Sequence, residues 1–89
     1  MLTREERSGV MKILNVLERV RANPEDLSPW EDIKNHVVKK MEFGSYAKEG
    51  WMEIYVLEKS KAAASWANRI RVIFRVANGE MEAKIVQMH

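Results

Sequence analysis

No cysteine occurs among the 89 residues. Disulfides and thiolate chemistry are therefore excluded, a pattern that suits a reducing, cytoplasmic setting. No apolar run approaches the roughly 18 residues of a membrane span, and Met1-Leu2-Thr3-Arg4-Glu5-Glu6 does not read as a signal peptide, so no membrane association is expected. Glycine is scarce. Gly9, Gly44, Gly50 and Gly79 are the four present, and none stands at the spacing of a phosphate cradle. Only two histidines occur, His36 and His89, far apart and without a carboxylate at ligand spacing. No metal and no other cofactor is expected, and His36 reads as a helix-surface residue. The serines have no nucleophile context. Charge of one sign is also in short supply. The formal net charge is +2, too mild for a protein that coats nucleic acid, so any nucleic-acid function must rest on where the cations sit.

What is present is an ordinary globular composition, 46 % apolar and 31 % charged, in a length that suits one domain over residues 1–89. Thr3-Arg4-Glu5-Glu6 is a capping box. Val10, Ile13, Leu14, Leu17 and Val20 follow at helical spacing, with Met11 and Val16 widening the stripe, and Asn23-Pro24 ends the helix near Ala22. Ser28-Pro29-Trp30-Glu31 reads as a second cap with proline in the first helical position. The stripe Trp30, Ile33, Val37, Val38 and Met41 then predicts a second helix closed by Gly44. Ser45 to Gly50 reads as a polar linker. Residues Trp51 to Leu57 alternate as a strand, and Lys61 to Trp66 lean toward a short helix, with Trp66 as an anchor to the core.

The most specific local signal is Asn78-Gly79, a two-residue hairpin turn in which both positions tolerate positive φ. It sets the register of Arg69 to His89. Val76 faces Met81, Phe74 faces Ala83, Val72 faces Ile85 and Ile70 faces Gln87, which makes one apolar face. Arg75 faces Glu82, Ile73 faces Lys84 and Arg71 faces Val86 on the other. A slip of one residue would mix the two sets. The expected fold is α+β, with two N-terminal helices packed on one face of a three-stranded antiparallel sheet that ends in the hairpin. Burial is expected for Ile70, Val72, Phe74 and Ile85.

On the opposite face this register gathers Arg69, Arg71, Arg75 and Lys84 with Trp51 and Tyr55. Cations interleaved with aromatic rings suit single-stranded RNA, in which phosphates take the cations and unpaired bases stack on the rings. The same residues also describe an ordinary solvated face, with Arg75 and Glu82 as a cross-strand ion pair. Leu57, Ile73, Val86 and Met88 lie among the charges and point instead to a protein partner. Two functions therefore stand open. One is a basic sheet-face RNA-binding protein. The other is a small non-enzymatic phage- or plasmid-type protein, an inhibitor or adaptor, that binds a protein partner through its sheet face or a strand edge. A homo-oligomer fits either.

Gly50-Trp51-Met52-Glu53-Ile54 resembles the first post-helical strand of the RelE/ParE/HigB superfamily of bacterial toxins. Arg71-Val72-Ile73-Phe74-Arg75-Val76 with Asn78-Gly79 and Met81 is similar to the hairpin that follows it there. The likeness covers Gly50 to His89. The chain differs in opening with a helix where that family opens with a strand, and in the length of the Lys59 to Asn68 segment. The resemblance implies RNA cleavage, on the ribosome or free, by attack of a ribose 2′-hydroxyl on the neighbouring phosphate. Arginine and lysine would stabilise the developing charge, Tyr55 or His89 would transfer the proton, and an antitoxin would be the protein partner. The residues themselves leave open whether the protein is an enzyme.

Overall fold

Helix α1 (Arg4–Ala22) begins where the capping box predicts. The Thr3 hydroxyl accepts the Glu6 amide at 3.1 Å, and the Glu6 carboxylate accepts the Thr3 amide at 2.8 Å. Two otherwise orphaned donors are satisfied in one turn. Val10, Ile13, Val16, Leu17 and Val20 form its buried stripe. The computed structural model describes residues 2–60 and 68–88. The short helix expected over Lys61 to Trp66, the anchoring role of Trp66 and the candidate His89 lie outside the described residues.

The remaining elements are a 3₁₀ helix (Ser28–Ile33), strand β1 (Val38–Lys40), a short helix α2 (Gly44–Lys48), and strands β2 (Met52–Tyr55), β3 (Ile70–Ala77) and β4 (Glu80–Gln87). The fold is α+β, and its antiparallel sheet has four strands in the order β1-β2-β3-β4, one more than expected. The hairpin register is the expected one throughout, with Val72 opposite Ile85 and Phe74 opposite Ala83. Asn78 and Gly79 take φ of 56° and 76°, as the turn requires.

The second helix does not form. The chain turns after Ile33, and Val38–Lys40 pairs with Met52–Ile54. The cause lies in where the stripe must go. Ile33 belongs to the core between α1 and the sheet, whereas Met41 packs with Trp51 and Ile73 on the sheet's other side. A straight helix cannot deliver residues to both sides of a sheet, and an extended segment can. The β-branched pair Val37-Val38 favours that outcome. Ser28 is not a cap. Leu27 holds that position without a side-chain bond, and the Ser28 amide instead donates to Asp26 Oδ1 at 2.9 Å. Gly44 opens α2 with φ of 80° where a helix stop was expected, and the supposed linker supplies α2 itself. Arg19 of α1 reaches Asp32, tying the 3₁₀ segment to the helix.

His36 is buried, not on a helix surface. Its Nδ1 lies 2.7 Å from the Tyr55 carbonyl oxygen, and the Tyr55 amide donates to the Val37 carbonyl at 2.9 Å. The turn into β1 is thereby sewn to β2.

The core on the helix side joins the α1 stripe to Ile33, Ile54, Val56, Ile70 and Val72. Phe74 is only half-buried, against Trp30 with ring centroids 6.0 Å apart. Val76 and Ile85 remain 65 % and 46 % exposed, so the expected burial of Ile85 is not met. The reason is coverage: the α1 stripe packs on β2 and β3 and leaves the far side of the hairpin open.

Gly9 lets α1 approach the backbone just past β2 closely. A Cβ there would sit 2.3 Å from the Val56 carbonyl oxygen. In a solvated helix Gly→Ala gains about 1 kcal/mol. Here the clash is with backbone, and Gly9→Ala should instead destabilise by about 1 to 3 kcal/mol, as overpacking does. Urea unfolding of the two proteins checks the sign.

Candidate functional site

The face away from α1 is built from three cross-strand rows. Lys39, Glu53, Ile73 and Lys84 form one, and Tyr55, Arg71 and Val86 the next. Trp51, Arg75 and Glu82 form the third, nearest the hairpin tip. The register thus brings Trp51, Tyr55, Arg71, Arg75 and Lys84 onto one face, as expected. Arg69 departs from the group. Its guanidinium bonds Glu6 at the start of α1 at 3.2 Å.

The face is not an open basic surface. Trp51 and Ile73 are buried in a second small core with Met41, against which Tyr46 and Ala47 of α2, Val86 and Met88 pack. Arg71 is 7 % exposed. Its Nε donates to Glu53 Oε1 at 3.0 Å, and its Cζ lies 3.8 Å from the Tyr55 ring centroid. Its Nη1 is buried without a hydrogen-bond acceptor. Arg75 donates to Glu82 at 3.2 Å, lies 3.4 Å from Glu49 and sits 4.9 Å from the Trp51 ring. Lys84 stands over both Tyr46 and Trp51, at 4.7 and 5.0 Å. Lys39 lies 3.8 Å from Glu42 and 5.6 Å from the Tyr55 ring centroid. The hydrogen bond to Tyr55 is the main cause that holds the Lys39 ammonium above its ordinary value.

The rings that were to stack on bases are therefore occupied by the protein's own cations. Those cations in turn face Glu42, Glu49, Glu53 and Glu82. What this arrangement does chemically is hold the outer layer of the sheet together. Each cation–π contact contributes about 0.5 to 2 kcal/mol according to its burial. Tyr55, the candidate for proton transfer, lies between Lys39 and Arg71. Among the described residues no three histidine, aspartate or glutamate side chains gather as a metal site, and no helix is long and apolar enough to cross a membrane.

A groove beside one strand edge was missed, although a strand edge as such was among the surfaces expected to bind a protein partner. Between α1 and β4 runs a groove of about 620 Å³ with Leu14, Leu17, Met81 and Ala83 in its wall and Glu18, Arg21 and Glu82 also lining it. The exposed Ile85 continues its apolar character along β4, and the exposed Met11 continues it along α1. The backbone at its rim is open. In the type I′ turn Ala77 and Glu80 form a hydrogen-bonded pair, and such pairs alternate along an antiparallel ladder. The Met88 amide accordingly donates to the Arg69 carbonyl at 2.7 Å. Even-numbered residues of β4 therefore bond to β3. Met81, Ala83, Ile85 and Gln87 turn their N–H and C=O groups outward from the last strand of the sheet. The signal was present in the sequence as an apolar hairpin face wider than one helix can cover.

A second, smaller cavity of about 120 Å³ lies beside His36, with Ser8, Gly9, Lys12 and Glu58 in its wall. Lys12 bonds Glu58 across it at 3.0 Å.

No family model matches the chain, and neither a curated protein nor a solved structure matches it.

Two electrostatic contacts yield tests. Arg71 and Glu53 are both buried, so breaking the pair leaves a charge without a partner. Glu53→Gln should cost about 3 to 5 kcal/mol, and the double change Glu53→Leu with Arg71→Met much less. Urea denaturation of the three proteins separates these outcomes. Glu6 is held below the ordinary carboxylate value of 4.5, first by the Thr3 amide and then by Arg69, against the opposing effect of burial. A carboxylate lowered on folding stabilises the protein fully above its unfolded value and loses that contribution as pH falls through the folded one. The stability gap between the protein and Glu6→Gln should be constant above about pH 5 and close as pH drops below 4.5. A gap independent of pH would dispose of this account.

Proposed function

We propose that this protein is a small non-enzymatic binding module that takes an extended segment of a protein chain along the edge of β4. The observation that carries this reading is the β4 edge itself. It runs eight residues in unbroken register, Glu80 to Gln87, with no proline and no bulge. Natural sheets blunt such edges by shortening them, charging them or covering them. The opposite edge, β1, is three residues long and carries Lys39 and Lys40, whereas the charges of β4, Glu80, Glu82 and Lys84, stand on the residues bonded to β3 and not on those with outward amides. An added strand would gain main-chain hydrogen bonds from Met81, Ala83, Ile85 and Gln87. Its alternate side chains would enter the groove beside Leu14 and Leu17, which is how strand addition combines affinity with specificity.

The RNA reading draws on Lys84 and Arg75, of which Lys84 is exposed and Arg75 is partly so. It requires RNA to displace Glu49 and Glu82 from Arg75, and bases to displace Lys84 from Trp51.

Ala83→Pro discriminates the two. It removes an outward N–H and no bond to β3, so the fold should survive, as edge prolines allow. A random library of ten-residue peptides would be selected against the protein, immobilised at low density so that each molecule is isolated. It should enrich alternating apolar sequences whose binding perturbs the amides of Met81, Ala83 and Ile85. Ala83→Pro should enrich none. Equal enrichment by both would overturn edge binding. RNA binding that weakens with salt and is lost in Lys84→Ala but kept in Ala83→Pro would establish the RNA reading in its place.

A further inference from the structure

Resting on that reading, we infer that the occupant of the β4 edge is a second copy of this chain, joined by a two-fold axis through Ala83. The inference rests on self-complementarity. In an antiparallel pair, residues directly opposite share a face. Odd-numbered residues of β4 face α1 and even-numbered ones face away, since Ala83 and Ile85 oppose Phe74 and Val72 of the helix-side core whereas Lys84 opposes Ile73 of the outer one. A two-fold axis between residues would set Met81 or Ile85 against charged neighbours of the opposite face, so the axis must pass through a residue. The middle of β4 offers Ala83 and Lys84. An axis through Lys84 sets that ammonium against its own copy.

An axis through Ala83 sets Ala83 against itself, Met81 against Ile85 of the second copy and Glu82 against Lys84 of the second copy, each twice by symmetry. The outward amides of Met81, Ala83 and Ile85 then meet carbonyls in register, and Glu82 and Lys84 fall in the closer, non-hydrogen-bonded positions where side chains approach best. On the helix side the exposed Ile85 and the half-buried Met81 of one copy close against those of the other, beside the grooves formed with Leu14 and Leu17. The two sheets become one continuous sheet, and both long edges disappear. A formal net charge of only +2 per chain opposes this association weakly.

Sedimentation equilibrium of the full chain tests the inference. The protein should be dimeric, and Ala83→Pro should be a folded monomer. Glu82→Lys sets a new lysine against Lys84 of the other copy twice, and Lys84→Glu sets a new glutamate against Glu82 of the other copy twice. Each should weaken self-association by about tenfold or more, from the loss of two attractive pairs and the gain of two repulsive ones. The decisive arm mixes the two single variants. In the mixed pair every lysine again opposes a glutamate, so a one-to-one heterodimer should form with affinity within about threefold of the original. Each chain keeps its own lesion in the mixture, including the loss of the Arg75 contact or of the packing on Trp51. Recovery therefore reports contacts between chains and not folding. The inference is overturned by a monomeric protein, by a dimer insensitive to the charge reversals, or by variants that do not recover on mixing. A monomeric protein that still enriches peptides at Met81 to Ile85 would overturn the second copy as occupant and leave the strand-addition reading standing. A dimer unaffected by Ala83→Pro would overturn the second copy as occupant, and the peptide selection would still decide strand addition.

Discussion

Strand β3 is buried on both faces, and the rest of the molecule is arranged around that constraint. Ile70 and Val72 point into the core under α1, while Arg71 and Ile73 point into the core on the other side, all of them 7 % exposed or less. A strand buried on both sides needs cover from both sides. Helix α1 supplies one cover. The other is assembled from pieces: Met41 leading out of β1, Tyr46 and Ala47 of α2, and Trp51 leading into β2. That demand explains why residues 34–50 form a turn, a short strand and a short helix in place of one long helix. The chain has to pass from one side of the sheet to the other, and it does so at the β1 edge.

A buried arginine is the expensive part of the arrangement. Arg71 lies between Glu53 and the Tyr55 ring, with one guanidinium nitrogen unsatisfied. Desolvation of such a pair often cancels its Coulombic gain. Its effect on specificity is clearer. Arg71, Glu53 and Tyr55 stand on one side of two adjacent strands, and a slip of either would drive a charge into the aliphatic core under α1. A pair so placed penalises wrong registers, and the turn at Asn78-Gly79 works toward the same end.

Short-range signals were legible in the chain. The capping box at Thr3 and Glu6, the stripe of α1 and the register of the hairpin each depend on residues within a few turns or across one tight turn. The 28–50 region was not legible, because its apolar spacing suits a helix and the choice was made by tertiary pairing of Val38–Lys40 with β2. The outer face was half legible. Alternation puts Arg71, Arg75, Lys84, Trp51 and Tyr55 on one side. It carries no information on whether a cation points to solvent or lies on the neighbouring ring, and α2, which closes part of that face, reads as a linker in sequence. The groove at β4 was hidden for a related reason: periodicity identifies an apolar face but not how much of it one helix can cover.

The two edges of the sheet differ in a way that bears on solubility. β1 ends the sheet with three residues and two lysines, and β4 ends it with eight residues and an open row of amides. The two ends thus offer an incoming strand very different surfaces. Were a second copy added by its own β4, the combined sheet would present only the short cationic β1 at either end. Repeated head-to-tail growth, the route to a fibre, would need both edges to accept a neighbour. The asymmetry would confine growth through β4 to a single closed pair.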